Sequence, residues 1–138
     1  MFVATDCPIA NAYAPELRAI ARQHEADPVR LWLVHCDRTI TASVARKHAQ
    51  EFHLPGTIVI DRNHDLVRAL AATTTPEAFV IDRTGKLVYR GRIDDAFPEL
   101  GTRRPAPTTH ELRDAILATL HQRTPPVRAT VPIGCAIE

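Results

Sequence analysis

The chain has 138 residues, of which 45% are hydrophobic and 24% are charged, a composition typical of one globular domain. The net charge of +1 gives no reason to expect nucleic acid or an anionic membrane as a partner. No stretch approaches the roughly 18 unbroken apolar residues of a membrane span, and no signal peptide is visible. We therefore expect a soluble protein whose compartment the sequence leaves unknown.

The N-terminal segment places a cysteine between a strand and a helix. Residues 1–4 are typical of the tail of a buried strand, and Pro8 suits the first position of a helix, where an N–H has no partner. Apolar residues at three- and four-residue spacing then predict a helix through Ala21. Cys7 would be the N-cap residue, where free amides and the helix dipole favour the nucleophilic thiolate. The alternative is a small buried residue without chemistry.

Strands and helices alternate along the rest of the chain. We predict strands over 29–35, 57–60, 78–81 and 86–90, helices over 39–52 and 65–72, and a last helix after Thr108. Thr108 and Glu111 have the spacing of a capping box, and we interpret 91–107 as a surface loop with Asp94–Asp95 in a solvated turn. This order predicts an α/β fold with helices on both faces of an open sheet. Functional groups collect beyond the carboxyl ends of such strands, where Cys7 and the segment His35–Cys36 lie.

Four segments carry a family resemblance, and they are Asp6–Leu17, Thr75–Asp82, Leu87–Asp95 and Gly134–Ile137. Their order resembles the thioredoxin-like superfamily and, more narrowly, its redoxin-domain, peroxiredoxin-like branch. The resemblance implies a thioredoxin-like fold, in which helices flank a central mixed β-sheet. It also implies a redoxin domain over 1–123 and a C-terminal tail over 124–138 that carries Cys135. Because the chain opens almost inside its first strand, the presence of the family's usual N-terminal elements stays open.

The resemblance also implies roles for individual residues. Cys7 matches the redox-active cysteine, and Pro76 matches the superfamily's cis-proline beside it. The backbone of Thr75 would then present hydrogen-bonding groups to an extended substrate. A cis X–Pro bond costs only about 0.5–1 kcal/mol more than a trans bond, so a fold can hold one.

The sequence departs from both well-known cysteine motifs of this superfamily. Thioredoxins pair two cysteines as Cys-x-x-Cys, whereas the fourth position of this motif is Ala10. Peroxiredoxins show Thr-x-x-Cys, whereas Ala4 stands three positions before Cys7. Thr5 is the nearest hydroxyl and is our candidate hydrogen-bond donor to the sulfur. These departures leave peroxidase activity open.

A second thiol must resolve any bond that Cys7 forms. Cys36 follows a strand that we expect beside the first one, but its side chain could point into the core. Cys135 lies on a tail that could fold back over the active edge, and the family resemblance places a cysteine there. Gly134 before it allows a tight backbone approach. We favour Cys135 over Cys36 as the partner.

We therefore expect a thiol-disulfide oxidoreductase or a peroxide-reducing antioxidant that needs no cofactor. Its partners would be a disulfide-bearing protein or a peroxide as substrate and an external thiol as reductant, and an open sheet edge could support a homodimer. One alternative is a copper-binding module that uses Cys7, His35 and Cys36, because thiolates and imidazoles suit copper(I) or zinc. His35 and Cys36 are neighbours in a strand, however, and should face opposite sides. The other alternative is a redox-inactive scaffold that binds a partner.

Overall fold

Seven strands and five helices form along residues 1–138, all of which the computed structural model describes. The strands are β1 (Phe2–Val3), β2 (Trp32–His35), β3 (Thr57–Ile60), β4 (Thr74–Thr75), β5 (Ala78–Ile81), β6 (Leu87–Gly91) and β7 (Cys135–Ala136). The helices are α1 (Pro8–Ala12), α2 (Ala14–Gln23), α3 (Ala42–Glu51), α4 (Asp65–Leu70) and α5 (Glu111–Leu120). The predicted strands are thus present, with shifts of a few residues at their ends, and so are the predicted helices except that the first is divided into α1 and α2.

The strands combine parallel and antiparallel pairing. Strands β1, β2 and β3 pair in parallel in that order, whereas β5 and β6 form the predicted antiparallel hairpin. The Phe2 N–H donates to the Glu77 carbonyl (2.9 Å) and joins the parallel part to the hairpin. Strand β7 pairs antiparallel with β4 and so brings the tail back to the middle of the molecule. None of the helices has both the length and the apolar character needed to cross a membrane.

Two apolar clusters lie on opposite faces of the sheet because side chains alternate along a strand. The larger cluster includes Leu33 of β2 together with Cys7 and residues of α1, α2 and α5. The smaller one includes Val34 and Cys36, and side chains of α4 pack against it. Helices therefore cover both faces, which confirms the predicted α/β architecture.

The single helix predicted after Pro8 is wrong, because the structure divides it into α1 and α2. Tyr13 is both the C-cap of α1 and the N-cap of α2, with φ −83° and ψ −3°. Pro15 explains the break, since proline lacks an N–H and its ring clashes with the carbonyl four residues earlier, that of Asn11. The proline was visible in the sequence and was the signal to divide the helix.

The predicted capping box and solvated turn are also wrong. The N-cap of α5 is His110, while the Thr108 hydroxyl and N–H both donate to the Asp95 carboxylate. Glu111 instead pairs with Arg92. Asp94 is buried and accepts a hydrogen bond from a tyrosine hydroxyl (2.6 Å). Asp94 and Asp95 thus tie the loop to the domain instead of facing solvent.

A buried ion pair fixes the segment between β4 and β5. The Glu77 side chain is fully buried, and its carboxylate accepts hydrogen bonds from Arg90 (2.8 Å) and from the Thr73 N–H (2.8 Å). Removing one partner of a buried pair leaves an uncompensated charge. We expect Arg90→Ala to lower the free energy of unfolding by about 2 kcal/mol, below the full cost because a third of Arg90 is exposed.

Urea unfolding measures this loss, and Arg83→Ala at an exposed position of the same hairpin is the matched control. A change within about 0.5 kcal/mol is expected for the control. Equal unfolding midpoints for the two variants would contradict a structural role for the Arg90–Glu77 pair.

Candidate functional site

Cys7 is the N-cap residue of α1, as predicted. Its backbone is extended (φ −85°, ψ 106°), Pro8 follows at the start of the helix, and the Ala10 N–H donates to Cys7 Sγ at 3.5 Å. The side chain is fully buried, with a relative exposure of 0%. The sulfur therefore has polar contacts at the positive end of the helix but is closed to solvent.

The residues before β5 form the wall beside Cys7. The Thr75–Pro76 peptide bond is cis, as the resemblance implied. The Cys7 thiol donates to the Thr75 carbonyl oxygen at 2.9 Å. Thr75 and Pro76 are both buried. Together they form a wall that contacts Cys7 through the Thr75 carbonyl and the tail through the pairing of Thr75 with Cys135.

The C-terminal tail brings a second sulfur to Cys7. In the β4–β7 pair, Thr75 lies opposite Cys135 and Thr74 lies opposite Ala136. The Cys135 thiol donates to Cys7 Sγ, and the two sulfur atoms are 2.8 Å apart although 128 positions separate them in sequence. Cys135 is only partly buried. The structure thus brings together the two cysteines that the sequence favoured as partners.

Gly134 allows this close approach of the tail. A Cβ atom at this position would lie 2.1 Å from the Thr75 carbonyl oxygen and 3.0 Å from Pro76 Cδ. Any other residue would therefore push β7 away from β4. The sequence pointed to this role, because glycine allows a tight backbone approach.

The pKa values of the two thiols are shifted in opposite directions. Burial is the largest influence on the pKa of Cys7 and raises it. Several hydrogen bonds, of which those from the Cys135 thiol and the Ala10 amide are the largest, together outweigh burial and leave this pKa below its ordinary value. Burial, the bond to Cys7 and the nearby charges of Cys7 and Asp6 raise the pKa of Cys135. Cys7 is therefore the thiol of the pair that ionises first, and the thiolate is the nucleophilic form.

Cys36 does not join this pair. It packs in the smaller apolar cluster, on the opposite face of the sheet from Cys7. Burial raises the pKa of the Cys36 thiol to about 11, as expected for an inert buried cysteine.

The geometry gives no support to the metal alternative built on Cys7, His35 and Cys36. The structure contains one group of three side chains whose potential ligand atoms lie within 4.8 Å of one another, and it includes none of these three residues. That group is Glu16, Asp94 and His110. The strand alternation that separates His35 from Cys36 is the physical reason.

The predicted hydroxyl role of Thr5 is not seen. The hydrogen bonds to Cys7 Sγ come from Ala10 and Cys135, and Thr5 instead contributes its carbonyl oxygen, which accepts from Asn11 Nδ2 at 3.0 Å. Asn11 Oδ1 is in turn bonded to His48 Nε2 at 2.7 Å. This chain of contacts ties α3 to the loop before Cys7. The sequence offered no signal for it, because the contact joins residues 37 positions apart.

His35 and His48 form a buried pair that the sequence did not predict. Their rings are 5.2 Å apart in an edge-to-face arrangement, and neither ring nitrogen of His35 has a hydrogen-bond partner. Burial first, and the neighbouring His48 second, lower the pKa of His35 from 6.5 to about 4. The folded protein therefore holds His35 neutral.

We expect this histidine to make folding sensitive to acid. Because the pKa of His35 is lower in the folded state, its contribution to stability is complete above about pH 6.5 and is lost as the pH falls towards 4. The shift corresponds to about 3 kcal/mol. Urea unfolding between pH 7.5 and 4 measures it: His35→Phe should flatten the pH profile, while the exposed His121→Gln should leave it unchanged. If the free energy of unfolding of His35→Phe fell with pH as steeply as that of the wild type, His35 would not be the cause of the acid sensitivity.

Comparison with known proteins agrees with this fold. The Redoxin family model matches residues 1–102, whereas no curated protein matches the chain. Among solved structures, an uncharacterized conserved protein from Geobacillus kaustophilus is 27% identical, with a TM-score of 0.85, over 100% of this chain and 74% of that one.

Two further structures are below 25% identity and bear on the fold alone. A hypothetical protein from Sinorhizobium meliloti 1021 is 24% identical, with a TM-score of 0.83, over 99% of this chain and 75% of that one. A putative thiol:disulfide interchange protein DsbE from Chlorobium tepidum is 22% identical, with a TM-score of 0.66, over 86% of this chain and 76% of that one. The fold is thioredoxin-like, and the family match covers most of the sequence. The chain belongs to the Redoxin family.

Proposed function

We propose that Cys7 and Cys135 form a reversible dithiol–disulfide pair that exchanges electrons with external sulfur compounds. The observation that carries this proposal is the 2.8 Å contact between the two sulfur atoms. The catalytic unit would be the domain over 1–123, and the tail over 124–138 would supply the second sulfur. None of the steps below needs a cofactor. An external thiol would serve as the reductant that returns the disulfide to the two thiols.

Cys7 would act as the nucleophile toward a disulfide. Its thiolate attacks one sulfur of the substrate, forms a mixed disulfide and expels the other sulfur as a thiolate. The Cys135 thiolate then attacks Cys7 Sγ, which forms the Cys7–Cys135 bond and releases the second substrate thiolate. Both released thiolates take up protons, so the substrate gains two electrons and the protein loses two. The lowered pKa of Cys7 and the neighbouring Ala10 amide support this assignment.

The same pair could reduce a peroxide with one change in the first step. The Cys7 thiolate would attack a peroxide oxygen, forming a sulfenic acid and releasing an alcohol or water once a proton is taken up. The Cys135 thiol would then displace hydroxide from that sulfur, forming the disulfide and water. Both reactions end with the formation of the Cys7–Cys135 disulfide, and they differ only in the oxidant that Cys7 attacks.

Thr75, Pro76 and Pro8 would hold the reacting sulfur in place. Pro8 begins the helix whose Ala10 amide donates to Cys7 Sγ, and Thr75 supplies the carbonyl that accepts from the thiol at 2.9 Å. In an opened state, the main chain of β4 would be free to bind an extended disulfide substrate. These are positioning roles, because the bonds that form and break belong to the two cysteines.

The test is a turnover assay of the whole chain with 2-hydroxyethyl disulfide and, separately, with hydrogen peroxide. We expect reduction of at least one of them with dithiothreitol as the electron donor, and Cys36→Ser should keep this rate because Cys36 lies on the other face. Equal rates for the wild type and Cys7→Ser with both oxidants would contradict the proposal and favour the scaffold alternative. Submicromolar, one-to-one copper(I) binding that Cys7→Ser abolishes would favour the copper alternative.

A further inference from the structure

The two sulfur atoms of the pair differ sharply in access. Cys7 is fully buried, with Pro8, the α1 amides and the Thr75–Pro76 wall around it, while Cys135 is only partly buried. A displacement at sulfur needs the attacking atom to approach the sulfur that is attacked. In the closed state that approach to Cys7 leads through the packed core cluster to which it belongs, so the attack of Cys7 on a substrate requires the opened state.

The tail also occupies the main-chain edge of β4. Thr75 and Thr74 pair with Cys135 and Ala136, and the Ile137 N–H donates to the Thr73 carbonyl oxygen at 3.0 Å. An extended peptide added to this edge would need the same backbone groups. In the closed state, therefore, a partner cannot lie along β4, and it reaches the pair only from the side of the partly buried Cys135.

We propose that external thiols attack the oxidised pair at Cys135 and not at Cys7, and that low-molecular-weight thiols are sufficient for this reaction. The inference rests on the proposed Cys7–Cys135 disulfide and names both the sulfur that is attacked and the class of reductant. Gly134 is the residue that determines this specificity, because it lets β7 lie against Thr75 and cover Cys7.

The reaction balances in two steps. A thiolate attacks Cys135 Sγ, so a bond forms between the thiol sulfur and Cys135, the Cys7–Cys135 bond breaks, and Cys7 leaves as a thiolate. A second thiolate then attacks the thiol-derived sulfur, which releases Cys135 as a thiolate and forms the disulfide of the external thiol. Two thiols lose two electrons, and the two protein sulfurs gain them along with two protons.

The electrostatics of the pair point to the same order of bond breaking. A sulfur with a lower pKa leaves faster in thiol–disulfide exchange. The pKa of Cys7 lies below its ordinary value, whereas the pKa of Cys135 is raised. An attack at Cys135 thus takes place at the less buried of the two cysteines and expels Cys7, which is the better leaving group.

The test maps the first adduct. The oxidised Cys36→Ser protein is mixed with less than one equivalent of 2-mercaptoethanol, quenched with acid, alkylated and digested, and the mixed disulfide is located by mass spectrometry. We expect at least a tenfold excess of adduct on Cys135 over Cys7. Equal amounts, or an excess on Cys7, would overturn the inference while leaving the proposed disulfide intact. Failure to obtain any oxidised protein would instead contradict the proposed function itself.

Gly134→Ala provides the matched perturbation. Its Cβ would displace β7 from Thr75, so we expect iodoacetamide to alkylate Cys7 of the reduced protein at least ten times faster than in the wild type. Val131→Ala, at an exposed position of the same tail, should leave the rate unchanged. Circular dichroism establishes that each variant is folded. An unchanged Cys7 rate in folded Gly134→Ala would overturn the covering role of β7, and if that variant does not fold, the adduct map decides.

Discussion

Replacing Cys7 with serine is expected to abolish disulfide reduction, with a fall in rate of at least about 100-fold, because a serine hydroxyl does not ionise near neutral pH. Cys135 cannot take over this role. The pKa of Cys135 is raised, and the amide that bonds to Cys7 Sγ belongs to α1. The measurement is the initial rate of 2-hydroxyethyl disulfide reduction at pH 7 after subtraction of the rate with dithiothreitol alone.

Cys135→Ser gives a different result when it is mixed with 2-hydroxyethyl disulfide in the absence of dithiothreitol, which would itself cleave a mixed disulfide. Cys7 can still attack the substrate, but nothing resolves the mixed disulfide from within the chain, so a stable adduct accumulates on Cys7. Mass spectrometry of the intact protein detects this adduct. Cys36→Ser is the control and should behave as the wild type. A Cys7→Ser protein that retains its activity, or an adduct on Cys36, would contradict the assignment of the nucleophile.

Oxidation of the pair is expected to stabilise the folded chain by about 4 kcal/mol. The cysteines are 128 positions apart, so the disulfide closes nearly the whole chain into one loop and removes much of the conformational freedom of the unfolded state. The folded state already places the two sulfur atoms together, so the bond requires little rearrangement. Few single covalent changes in a chain of this length would alter its stability as much.

Urea unfolding of the oxidised and reduced protein measures this difference. The midpoint should move to higher urea on oxidation in the wild type and in Cys36→Ser, but not in Cys135→Ser. The slope of the transition should also fall, since a looped unfolded chain exposes less surface. Equal midpoints for the oxidised and reduced wild type would show that the disulfide does not close this loop.

The local features of the site were accessible from sequence. Cys7 and Pro8 are adjacent, and a helix start depends on near neighbours, so the N-cap position could be predicted without knowledge of the fold. Cys135 was harder, because the tail is short, broken by prolines and far from Cys7 in sequence. The family resemblance and Gly134 were the useful clues, since the backbone at Gly134 passes so close to Thr75 that no side chain fits there.

The capping box and the solvated turn were predicted wrongly for the same physical reason, which is competition from distant partners. Thr108 and Glu111 have the spacing of a capping box, but Asp95 and Arg92 bind them instead. Asp94 lies in a loop without regular periodicity, yet it is buried through a bond to Tyr13. Hydrogen bonds of this kind join residues that only the fold brings together, so local spacing cannot predict them.

The most direct test of the Cys7–Cys135 pair is a disulfide map of the wild-type protein after mild oxidation with one equivalent of hydrogen peroxide. We predict one intramolecular disulfide, between Cys7 and Cys135, with Cys36 recovered as a free thiol because it lies buried on the other face of the sheet. A disulfide that contains Cys36, or recovery of both Cys7 and Cys135 as free thiols, would contradict it.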